Sequence, residues 1–351
     1  MKVPHQDFLP QLETCVKDFF ALNKTNASRI HPQYEILWRE LERVTRSGGK
    51  RIRPQMALLS YSAYGGQDVN SLVRVAAGLE VLHSSLLIHD DIIDRELTRR
   101  GSLNITGVYD QTYYSGAAAE ERLHHSNSAA LLGGDLLLTA SLQLLETSHF
   151  PADRLASART IMHRIIFEVA GGQLLDSEAA FLPDKRASTL TIARYKTASY
   201  SFVGPLLIGA ALASDVTPQD ELEIFAIQLG IAYQLSDDLL STFGDESQTG
   251  KSTSSDLREG KFTHIIEAFL DTAAADDHAV FTSLFGKPEA SDTDIATLKE
   301  LIKQSDAVAQ TEKVIDQHVE NARQTLARLK IDDHHRAAFE DLISRSVKRL
   351  A

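Results

Sequence analysis

The sequence predicts an all-α fold, and three observations carry that prediction. Apolar residues recur at helical spacing through most of the chain. Strand signals are weak, because strict alternation is rare and β-branched residues are scattered. Only 9 prolines and 19 glycines punctuate 351 residues, and nothing resembles a long flexible linker. With 43% hydrophobic residues the chain can bury a large core, and it reads as a single domain, 1–351.

The formal net charge of −12 argues against nucleic acid as the main partner, while leaving room for a local basic site. Cys15 is the one cysteine, so no internal disulfide and no cysteine-based metal site can form. The start, MKVPHQDFLPQLETCV, has no apolar signal region. No run approaches the roughly 18 apolar residues of a membrane span. The longest, Val203 to Ala213, contains Pro205 and two glycines. The expectation is a cytoplasmic protein without a transmembrane segment.

In chain order, residues 8–45 read as two helices joined at His31-Pro32. Leu12, Val16, Phe19 and Phe20 mark the first; Tyr34, Leu37, Trp38 and Leu41 mark the second, and these aromatics are core. Next, Ser47 to Pro54 reads SGGKRIRP. Two glycines expose backbone N–H groups, three cations follow, and Pro54 starts a helix whose N-terminus favours an anion. That suits a phosphate or diphosphate, without the Walker spacing of a P-loop.

Leu79 to Gly101, LEVLHSSLLIHDDIIDRELTRRG, is an apolar helical run ending in acids and then arginines. His83, Asp90 and Asp94 share one face at offsets of zero, seven and eleven. Two carboxylates about 6 Å apart repel by roughly 3 kcal/mol at an effective dielectric of about 20. Mg²⁺, a hard cation usually shared with substrate phosphates, neutralises that repulsion. Alone, the pattern is equally a solvated helix end.

Asn104 to Asn127 is polar, with Tyr109, Tyr113 and Tyr114, and reads as an irregular loop or lid. Gly133-Gly134-Asp135 then opens an apolar helix, Leu136 to Leu145. His124, His125 and His149 lack ligand-like spacing and read as surface residues. Ile161 to Asp176 is helical, with Gln173 and Asp176 on one face and Gly171-Gly172 permitting another helix to approach. Tyr195-Lys196-Thr197-Ala198 opens a helix running through Leu212. A lysine beside a threonine there either serves a phosphate or is simply exposed.

Thr217-Pro218-Gln219-Asp220 reads as a helix start, with Thr as N-cap and Pro at the first helical position. Leu222, Phe225, Leu229 and Ala232 carry the apolar face. Ile231 to Lys261 holds the second acid cluster, in which Gln234, Asp237 and Ser241 form a stripe. Two apolar helices, each with an acid pair near its C-terminal end, point to a metal–diphosphate site in a helical bundle. Beyond it, Ala273 to Asp294 is loop-like. Amphipathic helices follow over Ile295–Lys330 and His334–Leu350, without a motif, and Lys348-Arg349 form a basic end.

Taken together, GGKRIRP, HDDIID followed by RRG, GGQLLD, YKT, and YQLSDD followed by FGD, TGK and SDLREGK resemble the trans-isoprenyl diphosphate synthases, in the family's order from about Gly48 to Lys261. The resemblance implies a helical bundle around a central cavity, usually a homodimer. It implies chain elongation: an allylic diphosphate (dimethylallyl, geranyl or farnesyl) ionises, isopentenyl diphosphate attacks the cation, and a proton is lost to the diphosphate. By position Asp90 and Asp94 hold Mg²⁺, about three ions per site, from one wall and Asp237 from the other, with Asp91 and Asp238 in support. Lys50, Arg53, His83 and Arg100 match the isopentenyl diphosphate site. Arg99, Lys196, Lys251 and Lys261 match the grip on the allylic diphosphate, with Thr197 beside Lys196. Gln173, Asp176 and Gln234 match positions behind the ligands or facing the cation.

Ser241 stands where the family usually has a third Asp, so lower metal affinity with surviving activity is expected. Ser85 and Leu86 occupy the positions where farnesyl-type enzymes carry aromatics that floor the cavity. Leu86 shares the acid face, whereas Ser85 is rotated off it and its role rests on the resemblance. Without a bulky floor the product is expected to be geranylgeranyl diphosphate, of twenty carbons, with a longer product of twenty-five to forty carbons as the alternative. A noncatalytic subunit of a heteromeric synthase is the rival from another class, and it would commonly have lost the aspartates or basic motifs kept here. A terpene cyclase would not need GGKRIRP or Arg100. An HD-type phosphohydrolase, imagined from His83 and His89-Asp90, leaves GGKRIRP, YKT and TGK unexplained.

Overall fold

The computed structural model describes residues 7–182, 185–213, 219–244 and 253–347. Among them the only strands form one two-stranded hairpin, so the all-α expectation holds. The chain divides into two compact units: Lys2–Met162 with Leu207–Thr217, and His163–Leu206 with Pro218–Ala351.

The first unit begins with α1 (Phe8–Ile30) and α2 (Pro32–Arg46). His31 caps α2 by accepting from the Gln33 N–H, and Pro32 supplies the pre-set first turn. Phe20 and Trp38 are buried against each other with Phe19 and Tyr34 at their edges. α3 (Ile52–Ala63) starts two residues before Pro54, earlier than expected. α4 (Val69–Ile93) is capped by Asp68, whose carboxylate accepts from the Ser71 N–H at 3.1 Å. Its acid-bearing end leads into the hairpin β1 (Thr98–Arg99) and β2 (Ser102–Leu103). Arg100 and Gly101 both have positive φ, 53° and 73°, the signature of a tight two-residue hairpin turn.

Asn104 to Asn127 is not irregular. Asn104 caps α5 (Ile105–Val108), a π-wound turn follows over Tyr109–Tyr113, and α6 (Ala119–Glu146) is already running by residue 119. Tilted ring contacts of Tyr109 with Tyr113 and Tyr114, centroids 5.1 and 5.3 Å apart, make this polar stretch a packed one. Gly133-Gly134 lies inside α6 rather than at its start. A Cβ on Gly134 would fall 2.1 Å from His89 Nε2 of α4, so the glycine is there for close packing, not for capping. α4 and α6 have the length and composition of membrane-spanning helices, but they pack on each other and α4 buries most of its apolar stretch.

The second unit contains the later part of α7 (Ala152–Phe181), α8 (Thr189–Ile192), a π-wound segment over Ala193–Val203, and α10 (Gln219–Phe243). α9 (Gly204–Ala213) continues the π-wound segment. Tyr195 to Ala198 therefore sits inside wide-wound helix, not at a helix start. α11 (Ser255–Glu259) and α12 (His264–Thr272) follow. The expected loop Ala273–Asp294 contains α13 (Ala275–Leu284). The expected helix Ile295–Lys330 is two, α14 (Asp292–Gln304) and α15 (Ala307–Arg328), broken at Ser305-Asp306; α16 (Asp333–Val347) ends the described chain. A Ser291–Asp294 capping box starts α14 inside the stretch read as loop. Leu222, Phe225, Leu229 and Ala232 of α10 are buried as its spacing requires. Thr217-Pro218, Asp245, Thr249-Gly250-Lys251 and Lys348-Arg349 lie outside the described residues.

Candidate active site

In the first unit the acid motif ends α4. Asp90 is half-buried and Asp91 buried. Asp94 caps the helix, its N–H donating to Asp90 O at 2.8 Å, so it stands one turn beyond Asp90. Arg99 of β1 reaches back to both acids, donating to Asp91 Oδ1 at 2.6 Å and to Asp90 Oδ2 at 3.1 Å. Burial nonetheless pushes the Asp91 carboxyl up to about 6, against the pull of Arg99. The hairpin is pinned by Asn104, whose side chain donates to Glu96 O and accepts from Gly107 N–H.

SGGKRIRP lies beside this end of α4. Arg51 takes a left-handed conformation, φ 47°, and is spent internally: it donates to Glu13 at 2.8 Å and to buried Glu80 of α4 at 2.7 Å. That clasp fixes the loop one turn before His83. A Cβ on Gly49 would come 3.8 Å from Arg100 Nη1, which places the glycine loop next to the hairpin. Lys50 and Arg100 are exposed, while Arg53 and His83 are half-buried. Burial and the charges of Arg53, Arg100, Arg99 and Arg51 hold the His83 imidazole well below its usual range, so it is neutral at physiological pH. Arg53, His83, Arg99 and Arg100 are thus brought together as an anion-attracting group. Ser85 is fully buried and donates to Gly134 O of α6 at 2.8 Å, while Leu86 is half-buried.

In the second unit α10 repeats the pattern: Asp237 is half-buried and Asp238 buried. Gln234 Nε2 donates to Asp238 Oδ1 at 2.8 Å, and Thr197 donates to Gln234 Oε1 at 2.5 Å. Burial pushes Asp238 up to about 7, although Lys261 and the Gln234 hydrogen bond pull it down. Lys196 pairs with Asp176 of α7. A Cβ on Gly172 would lie 2.2 Å from Lys196 N and one on Gly230 2.4 Å from Ala198 Cβ, so both α7 and α10 press on the π-wound segment. Gly171 meets nothing within 4 Å and has no such role. Lys196, Thr197, Gln234, Asp238 and Asp176 are brought together; Ser241 is half-buried on the same helix, and Lys251 lies outside the described residues.

A family model described as Polyprenyl synthetase matches residues 34–302. The chain belongs to the polyprenyl synthetase family. Geranylgeranyl diphosphate synthase of Sulfolobus acidocaldarius is 32% identical over 264 residues, 73% of this chain and 74% of the relative. Heptaprenyl diphosphate synthase component 2 of Bacillus subtilis is 28% identical over 319 residues, 86% of this chain and 84% of the relative. A solved geranylgeranyl pyrophosphate synthase from Corynebacterium glutamicum, complexed with isoprenyl diphosphate and magnesium, is 31% identical with a TM-score of 0.90, covering 98% of this chain and 99% of that one. This polyprenyl synthetase is a Mg²⁺-dependent prenyltransferase, and its family's substrates are isopentenyl diphosphate and an allylic diphosphate.

Among the described residues no three His, Cys, Asp or Glu side chains form a ready-made metal cage. The donor set still fits Mg²⁺, which is commonly held by one or two carboxylates and completed by substrate phosphates. Each acid motif offers hard oxygens, and each has a buried Asp whose negative form a cation relieves. Arg51, Glu80 and Asp256, which acts on Asp238, went unassigned in the sequence reading. Glu80 had a signal: a lone acid in an apolar helical face, three residues before His83.

Proposed function

We infer that this polyprenyl synthetase makes geranylgeranyl diphosphate by condensing isopentenyl diphosphate with a shorter allylic diphosphate. The observation that carries the reading is the arginine group around His83, of which Arg99 is bonded to the Asp90-Asp91 pair. A diphosphate needs several fixed cations, and a second substrate needs its own. Lys50, Arg53, His83 and Arg100 bind isopentenyl diphosphate; His83, being neutral, donates one hydrogen bond without adding charge. Arg99, Lys196, Thr197, Lys251 and Lys261 hold the allylic diphosphate. Gln234, tethered between Thr197 and Asp238, presents its amide dipole to developing positive charge.

Asp90, Asp91 and Asp94, with Asp237 and Asp238, hold the metal, about three ions per site. Bound Mg²⁺ supplies Lewis-acid stabilisation of the departing diphosphate. The side chains bind, orient and exclude water, and no protein nucleophile is needed. Ser85 and Leu86, small or flexible where a ring would floor the cavity, set the product at twenty carbons.

The working form is a homodimer of single catalytic domains, 1–351, in the cytoplasm. Phe167, Leu174 and Phe181 support the dimer: they recur every seven residues on α7 and are 80%, 58% and 82% exposed. A noncatalytic subunit of a heteromeric synthase is the alternative, and activity of the purified chain alone would exclude it. Incubation with labelled isopentenyl diphosphate, Mg²⁺ and each of dimethylallyl, geranyl and farnesyl diphosphate, followed by chromatography, tests the reading. A twenty-carbon product is expected; a predominantly longer or absent product overturns it.

A further inference from the structure

Glu267, Thr189 and His264 form a clasp that the chemistry above leaves unused. Thr189 opens α8, which runs directly into the π-wound segment bearing Lys196 and Thr197. His264 opens α12, three residues after Lys261. A single oxygen, Glu267 Oε2, accepts from the Thr189 N–H at 3.3 Å and from the Thr189 hydroxyl. His264 Nδ1 lies 2.8 Å from that hydroxyl and 3.3 Å from that carboxylate oxygen, a geometry in which Nδ1 carries the proton and donates. Thr189 is buried, and the other two are half-buried.

The three residue types suggest a nucleophile relay, and the geometry rejects one. Hydroxyl and carboxylate meet the same ring nitrogen, so no path runs from hydroxyl through the ring to the acid. The clasp instead joins two segments. Seven residues after Thr189 comes Lys196, paired with Asp176. Three before His264 comes Lys261, whose charge acts on Asp238. Between Lys261 and His264 the chain is held tight, with Thr263 N–H donating to Lys261 O at 3.1 Å. A carboxylate shared by both segments therefore ties together the stretches of chain that bear the two lysines.

We propose that Glu267, with Thr189 and His264, is a positioning residue that sets the spacing of Lys196 and Lys261 and so their share of the grip on the departing diphosphate. The proposal rests on the functional reading above. A misplacement of about 1 Å in such a grip is enough to cost on the order of 10²-fold.

Calorimetry with inorganic pyrophosphate and Mg²⁺ reads the grip without turnover. Thr189→Val, which keeps the shape and drops the hydroxyl, and Glu267→Gln are each expected to weaken pyrophosphate about tenfold, with Thr189→Ser returning it to within about twofold of wild type. In turnover the KM for the allylic diphosphate should rise about tenfold and that for isopentenyl diphosphate stay within about twofold. Unchanged pyrophosphate affinity in both variants overturns the proposal, as does a loss that Thr189→Ser fails to restore or an equal rise in both KM values. Should Thr189→Val not fold, His264→Ala is read in its place against the same thresholds. A wild-type chain that grips pyrophosphate but makes no prenyl product sinks the functional reading and leaves this test standing.

Discussion

The two acid helices solve one problem in different ways. Each carries, in its C-terminal part, a half-buried Asp followed by a buried one. On α4 the buried Asp91 meets a permanent cation, Arg99, held by a hairpin. On α10 the buried Asp238 meets a neutral amide, Gln234, with Lys261 acting from farther along the chain. The carboxyls follow suit, raised to about 6 for Asp91 and about 7 for Asp238. One motif is compensated by a guanidinium bonded directly to it; the other by an amide hydrogen bond and the charge of Lys261. Sequence alone makes the two motifs look equivalent, and their surroundings do not.

Arg99→Gln should break this contrast most. It leaves Asp91 buried without its cation and is expected to lower the unfolding free energy by about 2–3 kcal/mol in urea titration, with Asp91→Asn added in the double variant regaining most of it. Ser85→Phe comes next. A ring must displace the contact with Gly134 O, costing about 1–3 kcal/mol, and should shorten the product. Leu86→Phe should shorten it at smaller cost, and an unchanged product in both variants removes these residues from control of chain length.

Asp238→Asn should act with the opposite sign to Arg99→Gln. Because the folded carboxyl titrates at about 7 and the unfolded one at about 4, metal-free stability falls as pH rises between those values and is lowest above them. Asparagine removes that decline, so at pH about 8 in chelator the variant should be more stable by about 1–2 kcal/mol, and equal to wild type at pH about 4. A variant less stable at both pH values would refute the sign. Smallest is Ser241→Asp, expected to keep turnover within about tenfold in a steady-state assay while tightening metal.

Much of this was legible from residue order. Helices over 8–45, α4 and α10 are visible because one apolar face repeats, whereas the grouping of Arg99 with Arg53, Arg100 and Arg51 around His83 crosses the motif assignments. Other features left no readable trace. The hairpin turn uses Arg100 at positive φ, where the usual signal is Asn or Gly, so β1 and β2 were invisible. Gly133-Gly134 looks like a helix boundary until the tight packing against α2 and α4 is known. Arg51 sits among cations of identical appearance, and only the burial of Glu80 separates a loop anchor from a ligand. The Thr189–Glu267 clasp joins residues 78 apart, a distance over which local pattern carries no information.

The most direct test of the account measures kcat for Asp90→Asn, Asp237→Asn and the double variant. On the proposed reading each single change removes a ligand for the same charge and should cost on the order of 10²–10³-fold. Because both are held to serve one site, the double variant should be little worse than the poorer single, the non-additivity of groups that act as a unit. Losses that multiply would mean two independent sites, and the shared metal–diphosphate centre would be wrong.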